Sequence, residues 1–211
     1  EANYFLYKSY EQLGDLENAL RFLNNIVSDQ ENKYTIESLA ALARISFQLK
    51  KYISSETYFS QLLKLASNID MKQEAVLGLI ESKFNLYQYH DVVKSISELV
   101  TEGFFSGQDN LRIYYLNAYS LYKINQIKKS LEKFEWLLLN SDGALKAEAF
   151  FYKALILYTQ GYYTDSQKAV FQLITELPSY EKWVNKSLFI LAKNYIAQKD
   201  MFQAQHVLSE L

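Results

Sequence analysis

The apolar positions of this chain recur at helical spacing. In QGYYTDSQKAVFQLITELP, residues 160–178, Ser166 is followed by Val170 and Leu173, four and seven positions on, between Gly161 and Pro178. Those offsets fall on one face of a helix with 3.6 residues per turn. The arrangement returns along the chain as Gly14, Ala19, Leu23 and Ile26; Lys50, Ser55, Phe59 and Leu62; Tyr87, Val92, Ile96 and Leu99; Asn125, Ser130, Phe134 and Leu137; and Lys199, Ala204, Leu208 and Leu211. The anchors Ala19, Ser55, Val92, Ser130, Ser166 and Ala204 are separated by 36, 37, 38, 36 and 38 residues. A period of this size marks an array of stacked supersecondary units.

Each unit reads as two antiparallel helices. Twelve residues before the anchor stands Ala43, Ala118, Ala154 or Ala192, with Tyr7 and Ile80 as exceptions. Two helices cross closely only where side chains are small, and the large residues beyond the anchor fill the groove beside the crossing. One such hairpin cannot bury both faces, so stability is shared with stacked neighbours.

Composition supports this pattern. Among 211 residues there are six Gly and one Pro, so helix breakers are scarce and the turn signals of an all-β fold are missing. Apolar residues make up 49% and charged residues 22%, enough for a core. The net charge of −2 argues against a general nucleic-acid binder, which needs a basic surplus on one face. No apolar run is long enough to span a membrane. Without cysteine there is no disulfide, thiolate zinc site or Cys nucleophile, and the compartment is left open.

With a period near 37, small residues at the eighth and twentieth positions and Pro178 closing one unit, the chain resembles the tetratricopeptide repeat family. That resemblance implies an all-α, right-handed superhelical solenoid of about six helix–turn–helix repeats, approximately 1–33, 35–69, 72–106, 109–142, 146–179 and 184–211, forming a single domain over 1–211. The repeats are divergent. The family's Trp at the fourth position is replaced by Asn3, Leu39, Val76, Tyr114, Phe150 and Leu188. The usual Leu three residues later is Asn117 in the fourth unit and Lys153 in the fifth. Every interval exceeds the family's 34, so loops or helices run two to four residues longer. The stretch TEGFFSGQDN, 101–110, with Gly103 and Gly107, is a candidate hinge between the third and fourth units. The chain opens on Glu1 rather than Met, and neither end carries a polar capping repeat, so a fragment of a longer array is expected. The C-terminal stretch LPSYEKWVNKSLFILAKNYIAQKDMFQAQHVLSEL is similar in style to repeats of large bacterial cell-envelope proteins. That likeness favours a periplasmic or outer-membrane-associated location, with the cytoplasm as the alternative.

Catalytic signals are absent: no Gly-rich phosphate loop, no H-E-x-x-H and no G-x-S-x-G. His90 and His206 fall in different units, too far apart in sequence to suggest a shared metal site, and carboxylate pairs such as Glu132 and Glu135 suit a solvated helix face. The expectation is a protein that is not an enzyme and carries no cofactor or metal. The family's two-carboxylate clamp for acidic C-terminal tails does not fit either. Its slots in units one to three hold Tyr4, Lys8, Ala41, Glu74 and Gly78, of which only Lys8 is basic.

In the family, the second, fifth, ninth, twelfth and thirteenth positions of the first helices line the concave face. Here this implies an aromatic groove with charges of both signs. Tyr115, Tyr119 and Tyr122 share one helix face. With Phe151, Tyr158, Phe84, Phe47, Arg112 and Phe189, they are the candidate partner-binding residues. Aromatic residues are enriched at interfaces, although the same rings could instead pack against the neighbouring repeat. A helical-hairpin family with 35-residue units reads RNA, but it needs a basic groove. The expected partner is another protein or a peptide segment, not nucleic acid. The alternative is a spacer or assembly module acting through its ends and convex face.

Overall fold

The structure is a computed structural model and describes residues 1–28 and 33–209. Within them the chain is built of twelve α-helices and no strands: α1 Ala2–Gln12, α2 Leu16–Ser28, α3 Thr35–Gln48, α4 Tyr52–Leu65, α5 Ile69–Asn85, α6 Tyr89–Leu99, α7 Gly107–Lys123, α8 Ile127–Asn140, α9 Gly143–Thr159, α10 Tyr163–Glu176, α11 Glu181–Ala197 and α12 Met201–Ser209. Odd and even helices pair as the first and second members of six hairpins. The chain divides into two compact units, Glu1–Asp109 and Asn110–Leu211, with the division in the first turn of α7, inside the glycine-containing stretch 101–110.

Every hairpin turns in the same way. Gly14, Lys50, Tyr87, Asn125, Gly161 and Lys199 all have positive φ, between 59° and 81°. Each ends a first helix. The Lys51 N–H donates to the Ser46 carbonyl at 2.8 Å and the Lys50 N–H to Phe47 at 2.9 Å. This is the six-to-one and five-to-two pairing of the Schellman motif, and the same pair of bonds recurs at all six turns. The turn is therefore made by the backbone. Three side chains with no intrinsic preference for the left-handed region, at positions 50, 87 and 199, are held in it. The second helices then begin with little side-chain help, except that Asp15 and Asp200 accept from the backbone N–H groups of Asn18 and Gln203 at 3.2 and 3.1 Å.

The anchors sit at the hairpin crossings. Ala19, Ser55, Val92, Ser130 and Ser166 are fully buried, as are Ala43, Ala118 and Ala154 opposite them. Where the anchor is serine, its hydroxyl donates to the carbonyl twelve residues earlier: Ser55 to Ala43 at 3.1 Å, Ser130 to Ala118 at 2.8 Å, and Ser166 to Ala154 at 2.8 Å. The next first helix adds a second bond to two of them. The Ser82 hydroxyl donates to Ser55 at 3.0 Å and the Asn194 amide to Ser166 at 2.8 Å. The large residues beyond the anchors are buried at Leu23, Ile26, Phe59, Leu62, Ile96, Phe134, Leu137, Val170 and Leu173. Leu99 is half-buried, Leu208 is 45% exposed, and Leu211 lies outside the described residues.

From the third repeat on, part of the excess over a 34-residue period is housed in helix. α5, α7, α9 and α11 each run 17 residues, against 14 for α3, and start two or three residues ahead of the expected repeat boundaries. Pro178 follows the end of α10 at Glu176, as a residue that cannot continue a helix should. The third hairpin departs from the small-residue rule at Ile80. A separate close approach, between α5 and α4 of the hairpin before, is made at Gly78, against which the ring of Phe59 packs. Phe59 is itself buried with Leu39, Ala43, Leu62, Ala75 and Leu79.

Two outcomes follow for stability. A mid-helix Gly→Ala change ordinarily stabilises by about 1 kcal/mol, but a methyl group at Gly78 overlaps the Phe59 ring. Gly78→Ala should therefore destabilise by about 1–2 kcal/mol in urea unfolding, with recovery in the Gly78→Ala/Phe59→Leu double variant. A left-handed non-glycine residue costs roughly 1–2 kcal/mol, of which the freer unfolded chain of glycine offsets about 0.4–1 kcal/mol. Lys50→Gly and Lys199→Gly should each raise stability by about 0.5–1 kcal/mol, and unchanged midpoints would contradict the strain.

Candidate functional site

In the unit Glu1–Asp109, the first-helix face is a polar ladder. Glu37 on α3 accepts from the Tyr4 hydroxyl at 2.7 Å and pairs with Lys8 at 3.2 Å, both from α1. Glu74 on α5 pairs with Arg44 of α3 at 2.6 Å. The second residue of one repeat thus takes the fifth or ninth of the repeat before it. Burial raises the Glu37 carboxyl, but the Tyr4 hydroxyl and Lys8 ammonium outweigh it and hold it below its ordinary value. Tyr4 also stacks on Tyr34 at 4.3 Å. Phe47 and Phe84 are half-buried, each edge-on to an aromatic ring across its own turn, Tyr52 at 5.4 Å and Tyr89 at 5.8 Å.

In the unit Asn110–Leu211 the same rung is aromatic. The Tyr115 hydroxyl on α7 donates to Glu148 on α9 at 2.8 Å. Around this bond the rings interlock. Tyr119 and Tyr122 lie 5.4 and 5.7 Å from Tyr152, which stacks on Phe134 at 5.0 Å. Phe151 touches Trp183 of α11 at 5.4 Å. Lys186 stands over Trp183 at 4.6 Å and Phe151 at 5.7 Å, Lys182 over Trp183 at 4.5 Å, and Arg112 over Tyr115 at 5.9 Å. Here burial dominates. It raises the Glu148 carboxyl above its ordinary value, against the opposing pull of the Tyr115 hydroxyl, Lys182, Lys186 and Arg112. It also raises the phenols of Tyr115 and Tyr152, keeping them neutral donors.

Of the residues singled out from the sequence, this unit brings together Tyr115, Tyr119, Tyr122, Phe151 and Arg112. Tyr158 is half-buried against Tyr163 at 6.0 Å, across its own turn. Phe189 stands 53% exposed on α11. The rings on α7 and α9 therefore pack on neighbouring elements and still show a partly open surface. Tyr152, at the centre of the cluster, and Trp183 escaped the sequence reading. Both fall outside the five positions that the family resemblance assigns to the face.

The opposite side of the same unit has a slot of about 400 Å³ between α8, α9 and α10, with Leu138, Leu139 and Phe150 in its lining. It is flanked by the ion pairs Lys153–Glu135 and Lys146–Glu176, both 3.0 Å, so its charges are balanced internally. Both histidines are exposed. Among the described residues no group of three or more His, Cys, Asp or Glu is placed to hold a metal, and no helix is long and apolar enough to cross a membrane.

The raised Glu148 carboxyl sets a sign. The folded chain binds this proton more tightly than the unfolded chain, so stability falls as pH rises from the ordinary carboxyl range through the raised value. Glu148→Gln keeps an acceptor for Tyr115 and removes that loss. Its melting temperature should exceed the wild type's at pH 7 and match it near pH 4, about where an unperturbed Glu titrates. A variant less stable at pH 7 would mean that the surrounding cations outweigh burial.

No protein-family model and no curated protein sequence matches the chain. Solved structures do. A tetratricopeptide repeat protein from Parabacteroides merdae is similar at a TM-score of 0.70 and 15% identity, over 97% of this chain and 75% of that one. MamA from Desulfovibrio magneticus is similar at 0.68 and 14% identity, over 83% and 92% of the two chains. Rap protein, solved in complex with Competence and Sporulation Factor, is similar at 0.55 and 13% identity, over 99% and 66%. With its six hairpins, small-residue crossings and shared left-handed turns, the chain has the tetratricopeptide-repeat fold.

Proposed function

We propose that this protein is a non-catalytic interaction scaffold that holds a segment of a partner protein on its first-helix face, chiefly on the aromatic surface of Asn110–Leu211. The observation that carries this reading is the interlocked cluster of Tyr115, Tyr119, Tyr122, Phe151 and Tyr152. Rings already fixed by their neighbours lose little entropy on binding, and their partly open faces offer apolar area beside polar hydroxyls. Such residues are the usual hot spots of interfaces. Phe189 extends the candidate surface on α11, and Phe47 and Phe84 are candidates of the other unit, Glu1–Asp109, taken by itself. A similar fold, that of Rap protein, is known in complex with Competence and Sporulation Factor, which is in keeping with a binding role. A second reading, an assembly module acting through its ends and second-helix side, is favoured by the slot beside Leu139, a side chain 87% exposed.

The two readings separate in one selection. A random peptide library is panned on the wild type, and enriched peptides are titrated against Tyr119→Ala/Tyr158→Ala, with helical circular dichroism confirming that the variant is folded. The scaffold reading expects affinity to fall about tenfold or more, as truncation of an aromatic hot spot does. Unchanged affinity in the folded variant, with loss in Leu139→Glu, would move the function to the second-helix side.

A further inference from the structure

The two compact units differ in charge. Residues 1–109 hold 10 Lys and Arg against 15 Asp and Glu, while residues 110–211 hold 12 against 9. In the second unit the lysines of the first helix α9 are already paired. Lys146 and Lys153 on α9 are bonded to Glu176 and Glu135, and Lys168 to Asp165. On α11 the pattern breaks. Lys182, Lys186 and Lys193 are exposed, and among the described residues none of the three forms an ion pair.

Their placement follows from the ladder. Glu37, Glu74 and Glu148 occupy the second position of their repeats and accept from the repeat before. In the sixth repeat that position is Lys186. The residue it meets is Phe151, so a tyrosine–carboxylate bond is replaced by an ammonium over a ring. The rung has a donor and no acceptor. At helical spacing Lys182, Lys186, Phe189, Lys193 and Ile196 fall within one stripe of α11, with Phe189 53% and Ile196 45% exposed. Lys182 and Lys186 lie about 6 Å apart along the axis, and Lys186 and Lys193 about 10.5 Å, with Phe189 between them.

We infer that this stripe docks an acidic segment of a partner protein, whose carboxylates take the acceptor places missing from α11 and whose apolar side chain covers Phe189. The inference deepens the scaffold reading and rests on it. An acidic peptide fits better than nucleic acid. Three cations neutralise few phosphates. Carboxylates meeting exposed ammonium groups beside apolar surface supply orientation and on-rate, while the apolar contact supplies area.

The test is a fluorescence-anisotropy titration with a labelled helical peptide carrying Glu at i, i+4 and i+11 around a central Leu, and with its Gln counterpart. The Glu peptide should bind, weaken as salt is raised, and exceed the Gln peptide by about tenfold or more at low salt. Lys193→Glu, whose side chain makes no ion pair among the described residues, and Lys186→Glu/Lys193→Glu should abolish that advantage with helicity intact. Equal binding of the Glu and Gln peptides would overturn the inference. So would tighter, lysine-dependent binding of phosphatidylserine vesicles or a single-stranded oligonucleotide than of the Glu peptide. Library peptides that need Tyr119 and Tyr158 but ignore Lys186 and Lys193 would leave the scaffold standing and remove the acidic partner. Glu-peptide binding that needs the lysines but survives Tyr119→Ala/Tyr158→Ala would keep the acidic stripe and remove the aromatic face.

Discussion

The close crossing inside each hairpin is the constraint on which the rest of this molecule depends. A small residue on the second helix meets the first helix twelve residues upstream. In three repeats a buried serine hydroxyl closes the contact onto a carbonyl. That bond satisfies the serine locally, so a polar atom can stand at the tightest point of an apolar interior. With the crossing fixed, the large residues four and seven positions on must fall into the groove beside it. Within each unit the first helices are then aligned so that the same positions face each other from repeat to repeat. The ladder of Tyr4, Lys8, Glu37, Arg44 and Glu74 is a consequence of that alignment.

Because the crossing is local and periodic, it was legible in the sequence. The anchor series, the partners twelve residues earlier, the turn positions and the end of α10 before Pro178 were all visible as spacing. What spacing could not show was where a deviation would be absorbed. The long period could have gone to loops, and from the third repeat on part of it went to an added stretch at the start of the first helices. At Ile80 the small-residue rule fails, and the close approach that α5 does make, at Gly78, is to Phe59 of the hairpin before. That contact trades volume between two helices and leaves no mark in a periodic pattern. The candidate surface was half legible. The tyrosines of α7 were named from their common face. Tyr152 was not, because its role depends on which neighbour fills the space beside it.

The paired carboxylates show how little the position alone decides. Glu37 and Glu148 occupy equivalent places and accept from equivalent tyrosines, yet their acidities move in opposite directions. Around Glu37 the tyrosine and lysine bonds prevail over burial. Around Glu148 the aromatic rings exclude water, and burial exceeds everything that favours the charge. A repeat protein can thus reuse one hydrogen bond as a surface rung in one unit and as the polar centre of an aromatic cluster in another.

The left-handed turns have a consequence for how the array comes apart. All six hairpins close through the same backbone bonds, but only Gly14 and Gly161 meet the required φ without steric cost. Each compact unit therefore holds one relaxed hairpin among strained ones. In a nearly one-dimensional array, where each repeat leans on its neighbours, such differences set the order of local opening. The hairpins turning at Lys50, Tyr87 and Lys199 should exchange their amide hydrogens earliest, with the glycine hairpins the last in each unit to let go.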